Sequence, residues 1–135
     1  VRAYDYALQL PSINPEQVII YAQNEGTLLL HDIFSAVKRE QHPLGVLLAG
    51  NMLDHKSILK IDVQTHIVVS KNDWNDWRTY AEKAADAHAD KYDTDTYFFV
   101  AMNTNRLLMY SSGNTFHKGA ETSMKQWLER VCQTS

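Results

Sequence analysis

The chain is predicted to fold as one α+β or mixed α/β domain, with a central mixed sheet of about four to five strands flanked by helices. Three observations carry that expectation. Its 135 residues are the usual size of a single domain, long enough to hide roughly 70% of the unfolded surface. Hydrophobic residues at 44% and charged residues at 21% are ordinary globular values, which argues against disorder and against a coiled coil. Segments of helical period alternate with short apolar runs in the order helix, strand, strand, helix, strand, strand, helix, a pattern that packs helices on a sheet.

Each element has its own punctuation. Asn14-Pro15-Glu16 is a helix start, with Asn as cap and Pro at the first helical position. The following Gln17 to Ala22 suits helix or strand. Thr27 caps a helix over 28–40, in which Leu30, Ile33, Phe34 and Val37 recur at helical spacing before Pro43. Leu44 to Ala49, ended by Gly50-Asn51, fits a buried strand. A longer strand, or two with a bend, is expected over 58–70. The clearest helix runs from about 73 to 92, with Trp74, Trp77, Tyr80, Ala81, Ala84, Ala85 and His88 on one side. Tyr97 to Met102 is a strand by composition, and Arg106 to Tyr110 reads as its hairpin partner across Asn103-Thr104-Asn105. Ala120, Met124, Trp127, Leu128 and Val131 mark a terminal amphipathic helix.

Composition narrows the function classes. The formal charge is -3, which leaves out the basic footprint of most nucleic-acid modules. No apolar run approaches the roughly 20 residues that span a bilayer, so no membrane partner is expected. The N-terminus has no basic segment leading into an apolar stretch, and the start at Val1 suggests trimming from a longer chain. One cysteine, Cys132, excludes an intramolecular disulfide and makes a reducing cytoplasm the default compartment.

The chemically richest stretch lies between Leu53 and Val69. Leu59, Ile61, Val63, Thr65, Ile67 and Val69 fall on one face of a strand, and Lys60, Asp62, Gln64 and His66 on the other. Such a strand aims a cation, a carboxylate, an amide and an imidazole at one space. The lane reads as a site or as the solvated face of an amphipathic sheet.

Asp54, eight residues before Asp62-Val63-Gln64, gives the pattern a family likeness. An α-β-β-α-β core with acidic residues on its central hairpin resembles the PD-(D/E)XK, or restriction-endonuclease-like, nuclease superfamily over roughly residues 28–110. Leu53 stands where that motif has Pro, and Gln64 where it prefers Lys. The resemblance implies metal-dependent phosphodiester hydrolysis, with Asp54 and Asp62 holding Mg²⁺, Gln64 orienting the attacking water and Lys60 stabilising the transition state. Nucleic acid is then the substrate.

Other groups weigh less. His31-Asp32 is a helix-surface pair, because further His and Asp at matching spacing are missing. His55, His66, His88 and His117 show no H-X3-H spacing. Asp86, Asp90, Asp93 and Asp95 resemble a calcium loop only in charge. The competing class is a non-catalytic α+β interaction or oligomerisation module: an adaptor, an immunity protein or a secretion-machinery component. Trp74, Trp77 and Trp127 are first of all core residues. On the module reading, the terminal helix with Met124, Trp127, Val131 and Cys132 is the expected contact for a protein partner or a second copy.

Overall fold

The computed structural model describes residues 2–71, 77–105, 107–110 and 115–133. Four strands, β1 (Ile19–Gln23), β2 (Gly45–Ala49), β3 (Gln64–Ser70) and β4 (Tyr97–Ala101), form one sheet in the order β1-β2-β3-β4. All three pairings are parallel, with Ile19 opposite Gly45, Gly45 opposite Gln64, and His66 opposite Tyr97. Among the described residues there are five α-helices: α1 (Arg2–Leu8), α2 (Leu30–Ala36), α3 (His55–Ile58), α4 (Trp77–Tyr92) and α5 (Lys118–Gln133). None is long and apolar enough to cross a membrane. The architecture is a single mixed α/β domain, a sheet flanked by helices.

Alternation along the strands divides the core in two. On one face Val46, Leu48, Ile67 and Val69 pack beneath Leu30 of α2, Ile58 of α3, and Ala81, Ala84 and Ala85 of α4. The alanines let α4 approach the sheet closely. On the other face Leu47, Ala49, Val68 and Ala101 lie under Ala120, Met124, Trp127 and Val131 of α5. Every crossover thus lies on the first face, and a sequential strand order then gives all three the same hand.

Three expectations change. The sheet is parallel throughout, so the hairpin partner expected over 106–110, of which 107–110 are described, adds no strand to it; Thr104 instead bridges Tyr110, and Met109 bridges Phe116, beyond the end of β4. Asn103 and Leu108 adopt left-handed backbone there (φ 59° and 65°), turning the chain back so that Leu108 is buried in the α5-side core. The helix over 28–40 splits into a 3-10 turn at Asn24–Leu29, α2, and a second 3-10 turn at Arg39–Gln41. Thr27 is not its cap: the hydroxyl donates to the Asn24 carbonyl (2.7 Å) and accepts from the Met52 amide (3.1 Å).

The third change concerns 58–70. Parallel neighbours β2 and β3 need a crossover, and 50–63 is the chain available for it. Leu59, Ile61 and Val63 alternate like a strand, yet Ile58 and Ile61 enter the core three residues apart as crossover residues. The strand begins only at Gln64. Expectations for the Trp74 and Trp77 rings and the His31 imidazole lie outside the described residues and side chains. α1 has no counterpart among the expected elements.

Candidate functional site

The four candidate site residues, Asp54, Lys60, Asp62 and Gln64, do not share a strand, and only Gln64 lies on β3. Asp54 caps α3, its carboxylate accepting the Ser57 amide at 2.7 Å. That bond holds the exposed carboxyl below the ordinary aspartate range, with smaller help from Lys56 and Lys60. Lys60 is exposed in the turn after α3. Asp62 and Gln64 come together in a hollow at the amino ends of the strands.

Topology decides the separation. Asp54 follows the carboxyl end of β2, whereas Asp62 lies two residues before the start of β3, and β2 runs parallel to β3. The two carboxylates therefore stand beyond opposite ends of the sheet. Five residues of strand span about 13–17 Å, while ligands of one divalent ion sit about 2–2.6 Å from it. Among the described residues no group of three or more His, Cys, Asp or Glu side chains is placed to hold a metal.

Asp62 has partners that its neighbours in sequence do not reveal. Oδ1 accepts from His42 Nδ1 at 2.7 Å, and Oδ2 lies 3.4 Å from Arg39 Nε. His42 Nε2 reaches the Val37 carbonyl at 2.9 Å, and Phe34 packs edge-on against the ring. Both imidazole nitrogens are thus committed within the chain, and His42 works as a strut joining the end of α2 to the approach to β3. A histidine that ran general-base chemistry would need one nitrogen turned to a substrate.

The buried histidines are also structural. His88 bridges the Ile61 carbonyl (Nε2, 2.5 Å) and the Thr96 hydroxyl (Nδ1, 2.6 Å), tying α4 to the crossover and to the lead-in of β4. Burial lowers its affinity for a proton, against a smaller opposing effect of the Ile61 hydrogen bond. His66 does not face solvent from a polar lane. It lies fully buried beneath α5, with Nε2 2.8 Å from Ser123 Oγ, and burial lowers it to about 4. The Tyr97 main chain pulls weakly the other way without closing a hydrogen bond to Nδ1, which, like Trp127 Nε1, has no hydrogen-bond partner among the described residues. His117 caps α5, accepting the Ala120 amide on Nδ1 at 3.0 Å.

At the carboxyl ends, where open α/β sheets usually hold ligands, the buried polar groups are stitched to one another. Asn51 and Leu53 exchange two hydrogen bonds, and Ser70 Oγ donates to the Thr104 carbonyl at 2.8 Å. A sequential strand order also lacks the reversal that opens a crevice there.

Hollows lie at the amino ends of the strands. Two adjoining hollows, of about 570 and 500 Å³, share Pro15, Glu16 and Glu40. Asp5 lines the first, and Arg39, His42, Asp62 and Gln64 line the second. Together they make one trough that bears, among the described residues, four carboxylates and one guanidinium. Its members come from residues 5, 16, 39, 40 and 62, so no local motif announces it; only the shared position before or between strand starts unites them.

Capping by Asp54 is expected to matter for stability. Asp54→Ala should cost about 1 kcal/mol in urea unfolding, with the amide of Ser57 losing protection from hydrogen exchange. An unchanged midpoint would show that α3 does not depend on its cap. Comparison with protein-family models finds no match, and no curated protein matches the chain.

Proposed function

We propose that the chain is a non-catalytic interaction domain that acts by holding a partner protein. The observation that carries this reading is the fate of the candidate catalytic carboxylates: Asp54 is engaged as a helix cap beyond one end of the sheet, and Asp62 is bound to His42 and Arg39 beyond the other. Hydrolysis of a phosphodiester by the expected route needs both on one Mg²⁺. Lys60, the intended transition-state cation, stands in the turn after α3 and not on a shared strand face. The broad open trough at the amino ends suits a macromolecular segment better than a small molecule, which favours enclosed pockets.

The test sets the two activities against each other. Purified protein with Mg²⁺ or Mn²⁺ should leave duplex DNA and single-stranded RNA uncut, to the same background as an Asp62→Asn variant. Affinity-purified protein should retain a defined protein in near-equal amount. Metal-dependent cleavage that disappears in both Asp54→Asn and Asp62→Asn would overturn the proposal and restore the nuclease.

A further inference from the structure

We propose that α5 is an acid-released cover, held on the sheet by two neutral imidazoles, His66 and His117, and shed as a unit when they take up protons. Both rings act on that one helix. His117 stands just before its first residue, and His66 lies beneath its middle, where Ser123 and Trp127 pass over β3.

His117 can hold α5 only without charge. Its Nδ1 accepts the Ala120 amide at 3.0 Å, and that bond uses the lone pair which a proton would occupy. A charged ring would also set a cation against the positive end of the helix dipole. Phe99 of β4 and Tyr110 pack against the imidazole, with ring centroids at 6.0 and 5.1 Å. Lys118 begins the helix beside it, and Glu121, in the first turn, gives its carboxylate to Lys125 at 2.8 Å.

His66 lets go for a different reason. Its Nε2 is 2.8 Å from Ser123 Oγ, whereas Nδ1 has no hydrogen-bond partner among the described residues, and neither has Nε1 of Trp127, whose ring centroid lies 6.0 Å away. A neutral imidazole carries one N–H and the imidazolium two, so the charged ring brings a buried donor with nothing to receive it. Tyr97 of β4 meets the ring edge-on at 5.7 Å, its hydroxyl taken by Arg130, which also pairs with Asp95 on the exposed rim. Leu47 is the neighbour on β2. Among the described residues no carboxylate pairs with His66 or His117. A charge beneath α5 therefore lacks a counter-ion, in keeping with the low proton affinity that burial gives His66.

The other face lacks this weakness. His88 meets the Ile61 carbonyl and the Thr96 hydroxyl, two oxygens that accept from an N–H, so a charged ring there keeps both ties. α4 thus stays docked where α5 departs, and the sheet face bearing Leu47, Ala49, Val68 and Ala101 opens to water.

Hydrogen exchange on the intact chain at pH 7 and pH 5, corrected for the intrinsic effect of pH, tests the release. The opening constant for the Met124, Trp127 and Leu128 amides should rise roughly twentyfold or more, the ratio for an imidazole titrating at 6.5 when exposed and at about 4 when covered. The Ala84 and Ala85 amides of α4 should change less than about fivefold. In the double variant His66→Gln with His117→Asn, whose Asn caps the helix without titrating, α5 should open equally at both pH values, within about twofold. Unaltered protection of α5 in the wild type, equal losses in α4 and α5, or a pH response that survives in the double variant would overturn the inference. The wild-type comparison of α4 with α5 decides on its own if the double variant does not fold.

Discussion

Trp127→Ala is expected to cost about 3 to 5 kcal/mol in urea unfolding. The indole is 1% exposed, at the centre of the core between α5 and the sheet. Its edge fits against Gly45 so closely that a Cβ there would lie 2.9 Å from Cη2, a gap only glycine leaves open. Ala120, Met124 and Val131 are buried alongside it. The face of the terminal helix expected to hold a second copy is therefore the chain's own core, and Trp127→Glu should unfold the domain rather than shift an oligomer. A loss below about 1 kcal/mol for Trp127→Ala would place the ring outside the core.

Acidification should destabilise the domain well above the range in which carboxylates protonate. The His66 imidazole takes a proton near 6.5 when unfolded but only near 4 when buried. Between those values the unfolded state binds more protons, so stability falls as pH falls. The slope approaches 1.4 kcal/mol per pH unit for this one group, and the whole window amounts to roughly 3 kcal/mol. His88, lowered by burial as well, adds in the same direction. Above 6.5 neither contributes. His66→Gln should flatten the profile between pH 6.5 and 4, measured as unfolding midpoint in urea at each pH. An unaltered slope would mean that His66 is hydrated in solution.

Much of this fold is legible in the sequence. Asn14-Pro15 starts a helical turn where capping chemistry says it should, with Asn14 accepting the Glu16 amide. Leu44 to Ala49 reads as a buried strand and is one, buried at all five of its strand residues. α4 and α5 follow their apolar period, although α4 is described only from Trp77. The crossover at 50–63 was illegible because alternation is a statement about side chains, whereas the demand for a crossover comes from the parallel partner. Leu59, Ile61 and Val63 satisfy both patterns. Whether 97–101 ends in a hairpin or at a sheet edge is likewise set by the left-handed turn at Asn103, not by the composition of 106–110.

The candidate site was harder to read for a related reason. Asp62 stands out in sequence, but its partner His42 lies twenty residues earlier and is fixed in place by the start of β2. The trough is a property of strand starts, which are scattered along the chain. Sequence spacing finds sites built on one element; it does not find those assembled from the ends of several.

The sequential winding of the sheet also orders the events of assembly. Each strand docks on the one completed just before it, so the loops to be closed are short and one face gains its cover of helices as the chain lengthens. The opposite face has no such provision. Leu47, Ala49 and Val68 wait for α5, the last helix among the described residues. A partly made chain therefore carries one finished side and one adhesive side, and covering the second is the work of α5.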